Sequence, residues 1–357
     1  MKTRISTILV LLMIALVVFG CKDKPEEPAT AKLKKEKILN LFNYEDYIGS
    51  DTLENFEAET GIHVNETYFA DEEEMLGVVQ SDLTAYDLVV VSDDAVKEMR
   101  EARLLAQLDH SKIPNLVHIG QKHRNLPYDP EQRYSIPYLI GTTGVVVNKK
   151  YVKGDTDSWK VLFDKQYQGK LAMLSDPFEV AAVALKLLGY SMNSTNVEEL
   201  EKARDLLLEQ KPLLNGYYDD TKMMELVVNE EVWATHIFSG EGLLAMEQNE
   251  DLEYIIPKEG APIWVDCFVV LRGAKHKEEA HQLIDYILRP EVNASIASEL
   301  WYATPNEAAI PLMDPEVAES EIVFPPPEVL ARCEYFRITG VANTIISAMW
   351  SDLTVED

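Results

Sequence analysis

Strand and helix signals alternate along this chain, and that rhythm leaves few architectures open. Residues 38–43 (ILNLFN) form a short apolar run of buried-strand type. Residues 50–60 read as a helix, with Ser50 at the cap position and Gly61 as the stop. Residues 62–69 are strand-like and 72–81 helical. Residues 86–91 (YDLVVV) make an apolar strand ending at Ser92, followed by helix to about Ala102. The pattern resumes with strands at 144–148 and 171–174, helices at 178–188 and 197–209, and strands at 232–238 and 254–256. Strands joined by helices of this length predict parallel sheets covered by helices on both faces. The 357 residues exceed one ordinary core, so two α/β units are expected. No internal sequence repeat marks them.

Ahead of this rhythm, Lys2 and Arg4 precede an unbroken apolar run at residues 8–19 and then Gly20-Cys21. A basic start, an apolar core and a small residue before a cleavage point predict a secretory signal over residues 1–20. The run is shorter than the roughly 20 apolar residues of a membrane-spanning helix. Val18-Phe19-Gly20-Cys21 resembles a bacterial lipobox, with Phe19 bulkier than such motifs usually carry, so Cys21 is the expected lipid attachment site. Residues 22–37 (KDKPEEPATAKLKKEK) lack apolar periodicity. As a flexible coil, a tether of that length spans roughly 22 Å. The expected address is the bacterial cell envelope, with the body anchored by lipid and facing the periplasm or the exterior. Two or more acyl chains would make that anchor stable.

Charge narrows the partners. The chain carries 33 basic and 61 acidic residues, and removing Lys2 and Arg4 with the signal takes the net charge from −28 to −30. Such a field repels nucleic acid and anionic membrane surfaces and attracts cations. The seven histidines show no metal-ligand spacing, and no CxxC, HExxH, Gly-x-Ser-x-Gly or phosphate-cradling glycine loop occurs. No metal and no cofactor are expected. Cys267 and Cys333 read as buried hydrophobes rather than as a disulfide.

In open α/β sheets, ligands bind beyond the carboxyl ends of the strands. That rule selects Tyr44, Glu45, Asp46 and Tyr47 after the first strand, Ser92, Asp93 and Asp94 after the third, Asp176 to Glu179 after residues 171–174, and Phe238 to Glu241 after residues 232–237. Carboxylates and aromatic rings dominate these ends. Carboxylates pair with ammonium groups, and ring faces attract cations. A cleft lined this way suits an elongated organic cation. Asp176-Pro177-Phe178-Glu179 also has the form of a helix cap, and a carboxylate has acceptor sites enough for both roles. Trp264 and Asp266 are two apart on a strand, so both face one side. Tyr217-Tyr218, between Gly216 and Asp219-Asp220, reads as a turn. A carboxylate-pair glycosidase and a purely structural surface lipoprotein are the competing classes.

These positions sit in a wider pattern. Glu59-Thr60-Gly61-Ile62-His63-Val64, Tyr86-Asp87-Leu88-Val89-Val90, Tyr134-Ser135-Ile136-Pro137-Tyr138, Pro257-Lys258-Glu259-Gly260, Leu288-Arg289-Pro290-Glu291-Val292 and Thr304-Pro305-Asn306 occur in order along the body. From about residue 38 to 350 the chain resembles the periplasmic spermidine/putrescine-binding proteins of ABC importers. The resemblance implies a two-lobed clamshell of mixed sheets with helices on both faces and a ligand cleft between the lobes. It places residues 38–143 and 265–309 in one lobe and 144–264 and 310–357 in the other, with crossings near Thr143, Trp264 and Ala309. It implies amine-holding carboxylates at Asp176, Glu179 and Asp266, a tryptophan wall at Trp264, and further ligand contacts at Tyr47, Ser92 and Tyr302. Asp46 stands where the family commonly has glutamate. Tyr44 and Phe238 stand where well-known members have tryptophan, Glu45 where they have threonine, Asp94 where they have tyrosine and Phe336 where they have glutamine. The departures keep the cation preference and leave putrescine against spermidine open. The implied function is a monomeric, lipid-anchored receptor that captures a polyamine for a membrane permease without covalent chemistry. The same clamshell holding another small cation is the alternative.

Overall fold

The computed structural model describes residues 37–69, 71–337 and 340–355. The expected signal, Cys21 and the tether up to residue 36 lie outside the described residues. Lys37, expected to close the tether, is instead the first residue of strand β1 (Lys37–Asn43) and stands opposite Ile62.

The first half builds as its periodicity predicts. β1 is followed by helix α1 (Thr52–Thr60), β2 (Ile62–Tyr68), α2 (Glu72–Ser81), β3 (Leu88–Ser92) and α3 (Asp93–Glu101). β1 pairs in parallel with both β2 and β3. Asp51, not Ser50, occupies the cap position of α1, because the Ser50 amide is drawn to Glu299. Gly61 ends α1 in the left-handed region, φ 67°, where a residue without Cβ carries no steric penalty.

Strand β4 (Ser135–Asn148) is much longer than the expected 144–148. Pro137 and Gly141 hide its first half in the sequence, since both argue against a strand. The structure accommodates Pro137 at a register shift between Pro137 and Leu139 against β9. A Cβ on Gly141 would lie 2.1 Å from the Trp264 ring, so the missing side chain is what lets tryptophan pack on this strand.

The second half contributes β5 (Leu171–Leu174), α4 (Pro177–Leu187), α5 (Val197–Gln210), β6 (Leu214–Tyr218), α6 (Asp220–Val228), β7 (Ala234–Phe238), α7 (Ser239–Gln248) and β8 (Leu252–Ile255). Then follow β9 (Pro262–Val270), α8 (Lys277–Ile287), α9 (Pro290–Glu299), β10 (Glu334–Tyr335) and a C-terminal helix, Val341–Thr354. Tyr217 and Tyr218 lie on β6, in register with Met173 and Leu174, and do not form the expected turn. Two adjacent tyrosines favour the pleated surface of a strand. Asp219 behind them caps α6 through the Lys222 amide.

Among the described residues the strands run in the order β2-β1-β3-β9-β4-β7-β5-β6, with β10 on β9 and β8 on β4. β4 joins the two strand groups. Its residues 135–142 pair with β9, and residues 143–147 pair with β7. Apolar side chains cover both faces of each group. Leu88 and Val90 of β3, with Trp264, Phe268 and Val270 of β9, enter one core, while Val89, Val91, Val265, Cys267 and Val269 enter another. Val145 and Val147 of β4 face one further core and Val146 a fourth. Burial on both faces explains the near-continuous apolar runs of the strands. Cys267 is buried and Cys333 half-buried, and the two are not paired.

Candidate functional site

Helix N-termini bring acid groups together. Four helices, α2, α3, α4 and α7, begin just beyond the carboxyl ends of β2, β3, β5 and β7, and each carries its own acid into its first turn. On α4, Asp176 is the cap, and its Oδ1 accepts the amides of Phe178 (2.8 Å) and Glu179 (2.9 Å). Its Oδ2 takes no such bond among the described residues, so one oxygen ends the helix while the other remains for a ligand. Glu179 does not reach back as a capping box would. Its Oε1 accepts the Thr143 hydroxyl at 2.8 Å, and its Oε2 lies 3.3 Å from His236 Nε2.

Three phenols each donate to a carboxylate. Tyr47 donates to Asp266 Oδ2 at 2.5 Å, Tyr302 to Glu241 Oε2 at 2.6 Å and Tyr44 to Glu72 Oε1 at 3.0 Å. Glu72 further accepts the Ser92 amide (2.7 Å) and hydroxyl (2.9 Å). The rings form one continuous wall. Tyr44 meets Tyr47 edge-on at 5.5 Å, Tyr47 meets Tyr302 at 5.9 Å, Tyr302 meets Trp264 at 5.0 Å, and Trp264 meets Phe238 at 5.8 Å. Gly240 lets the Tyr302 ring lie against the first turn of α7, since a Cβ there would sit 2.4 Å from that ring.

Electrostatics ties the acids into one field. Burial pushes Asp176 up to about 6, with the Glu179 charge adding to it and the two amide bonds opposing. Burial takes Asp266 to about 7, with the Tyr47 hydrogen bond opposing and Glu72 adding. Burial also takes Glu241 to about 7, with Asp220 adding and Tyr302 opposing. Glu179 rises to about 8, chiefly by burial. Glu72 is raised as well, by burial and by Asp176. Among the described residues none of these five carboxylates pairs with a lysine or arginine. Like charges this close and this poorly hydrated favour either a shared proton or an incoming cation.

Nine expected site residues therefore converge: Tyr44, Tyr47, Ser92, Asp176, Glu179, Phe238, Trp264, Asp266 and Tyr302. Three are placed elsewhere. Asp46 is exposed with φ 53° and borders a depression shared with Glu66 and Tyr68. The tight turn after β1 aims it outward. Asp94 and Phe336 line a cavity of ≈ 180 Å³ with Asp93, Tyr128 and Tyr335. Asp94 is on α3 just past its cap, beside Asp93, whose carboxyl feels the charges of Asp94, Asp266 and Glu72, and Phe336 packs against the core around α4 and α5. Glu45 is exposed.

Sequence reasoning missed Glu72, Glu241 and His236 as parts of this cluster. The strand-end rule reaches Glu72 once it is applied to β2, and it already named Glu241 as a strand-end residue. His236 lies inside a strand, and only the sheet register puts it against Glu179.

A family model described as bacterial extracellular solute-binding protein matches residues 51–325. The spermidine/putrescine-binding periplasmic protein of Escherichia coli K12 is 33% identical over 327 residues, covering 91% of this chain and 94% of that one. A solved structure from Listeria monocytogenes superposes with a TM-score of 0.85 at 33% identity, covering 89% of this chain and 98% of that chain. The TpPotD lipoprotein of Treponema pallidum superposes with a TM-score of 0.78 at 28% identity, covering 89% and 99%. The architecture is thus the two-lobed clamshell of mixed sheets and flanking helices. The chain belongs to the bacterial extracellular solute-binding proteins.

Proposed function

We propose that this protein captures a polyamine, putrescine or spermidine, and delivers it to the permease of an ABC importer. The observation that carries this reading is a set of five cleft carboxylates that, among the described residues, pair with no lysine or arginine, set against a continuous aromatic wall. Ammonium groups would replace the protons those carboxylates hold, and methylenes would lie along Tyr302, Trp264 and Phe238. The Escherichia coli relative is a spermidine/putrescine-binding periplasmic protein, which supports the same ligand class. Closure of residues 38–143 and 265–309 against 144–264 and 310–357, about crossings near Thr143, Trp264 and Ala309, would desolvate the amines. The protein acts as a monomer tethered through lipid on Cys21, as its Treponema pallidum relative is a lipoprotein. Among the described residues no helix is long and apolar enough to cross a membrane.

Removing one member of a buried ion pair costs about 3–5 kcal/mol. A micromolar complex holds about 8 kcal/mol in total. Asp266→Ala and Glu179→Ala should each weaken polyamine binding at least tenfold. The test follows Trp264 fluorescence while putrescine, cadaverine, spermidine and spermine are titrated into the purified body, with affinities confirmed by calorimetry. Saturation by one or two of them is expected. No response to any, or unchanged affinity in both variants, overturns the proposal.

A further inference from the structure

His236 is not among the expected ligand contacts, yet its placement is unusual. It lies on β7 opposite Val145 of β4 and is fully buried. Its Nε2 is 3.3 Å from Glu179 Oε2. Neither ring nitrogen, nor Glu179 Oε2, makes a hydrogen bond of good geometry among the described residues. The Trp159 ring stands edge-on at 5.4 Å, and its indole N–H is taken by Gly260. The charged groups facing His236 are Glu179 and, at the start of the same helix, Asp176. Glu179 is itself 4% exposed, and its other oxygen holds the Thr143 hydroxyl.

A buried carboxyl against a buried imidazole, with neither satisfied elsewhere, is costly unless a proton lies between them. We propose that Glu179 and His236 hold one proton in common, and that His236 is the positioning residue that lets Glu179 become an anion when an amine enters the cleft. Without ligand, the proton stays on the Glu179 carboxyl, 3.3 Å from the neutral imidazole. When an ammonium is seated beside Asp176 and Glu179, its field drives the proton to Nε2. The pair then reads carboxylate and imidazolium. No proton leaves the pair and no solvent path is needed. Burial keeps the imidazole neutral, down to about 3, and the carboxyl protonated, up to about 8, which fits the resting state and sets the gap that the ammonium field and the new Glu179 charge together must overcome. The ligand step of this inference rests on the polyamine reading. The resting proton-sharing contact does not.

Two arms separate them. In the ligand-free protein labelled with 15N-histidine, the His236 signal is identified by its loss in His236→Gln. It should stay neutral from pH 8 to pH 5 and shift in Glu179→Gln. Titration near the ordinary histidine pKa, or no response to Glu179→Gln, overturns the pair. In the second arm, His236→Met and His236→Gln, checked for folding by circular dichroism, are titrated with putrescine and spermidine at pH 6 and pH 9. Neither side chain can accept the proton, so Glu179 must lose it to solvent, at a cost of tenfold per pH unit below its pKa. Both variants should bind at least tenfold more weakly than the native protein at pH 6 and within threefold at pH 9. They should release about one more proton per ligand at pH 7. Parallel pH profiles overturn the inference. A native protein that binds neither amine overturns the proposed ligand instead, and the first arm still decides the pair.

Discussion

The Tyr47 hydroxyl donates to Asp266 Oδ2 at 2.5 Å, across 219 positions of chain. Tyr47 follows β1 and Asp266 sits within β9, so this contact closes the wall of the cleft from two separate strands. It also opposes the burial that raises Asp266, and in that way keeps the acid available to an amine.

Tyr47→Phe removes that donor and keeps the ring. A hydrogen bond to a charged group contributes about 1.5–3 kcal/mol. Asp266 should hold its proton more tightly, so polyamine affinity at pH 7 should fall roughly tenfold or more and recover in part at pH 8.5. Calorimetry at the two pH values checks this, and an equal loss at both would mean that the hydroxyl does not act through the Asp266 proton.

Affinity should rise with pH across the neutral range. Ammonium groups bind the charged carboxylates, whereas the free protein holds protons on Asp176 to about pH 6 and on Asp266 and Glu241 to about pH 7. Below those values the ligand must displace protons. Binding should therefore be at least tenfold weaker at pH 5.5 than at pH 8, with proton release at pH 6.5 measured by calorimetry in two buffers of different ionisation enthalpy. A flat profile would remove these carboxylates from the site.

The same shifts act on stability with the opposite sign to an ordinary salt-bridged acid. Asp176, Glu179, Glu241 and Asp266 hold protons in the folded chain at pH values where an unfolded carboxylate, near 4, has lost them. The folded state binds more protons between about pH 4 and 8, so stability declines as pH rises through that window. Thermal melts of the ligand-free protein should give a lower midpoint at pH 8 than at pH 5.5. A saturating polyamine should narrow or reverse the difference. Below about pH 4 the trend reverses, because acids such as Asp87 are held below the usual range. Its burial is outweighed there by hydrogen bonds from His276, Asn40 and Lys275.

Gly141→Ala tests the packing behind the aromatic wall. The added methyl would meet the Trp264 ring at 2.1 Å, on a strand that cannot move without breaking its pairing with β9. Overpacking of this kind costs about 1–3 kcal/mol. The variant should melt several degrees lower, show altered tryptophan emission and bind polyamine more weakly. An unchanged emission spectrum would place Trp264 differently.

Residues far apart in the chain show where legibility ends. The strand–helix rhythm, the helix starting at residue 72, the strand at 171–174 and the carboxylates at strand ends, Asp176 among them, are written in local periodicity and turn chemistry, which depend on neighbours within a few positions. Asp266 and Tyr302 come into view only through the family resemblance, because Asp266 lies inside β9 rather than at a strand end. The first half of β4 is not legible, because Pro137 and Gly141 act against a strand locally and are tolerated only through a register shift and a packed tryptophan. Nor is the outward turn of Asp46, the pairing of Tyr44 with Glu72, or the burial of His236 against Glu179. Each depends on register and on which strands become neighbours. Sequence by itself determined the α/β class and the acids and rings that the strand ends carry, because both are set by local periodicity. Only the tertiary structure decided which acids share a field, since burial and charge proximity are properties of distance in space.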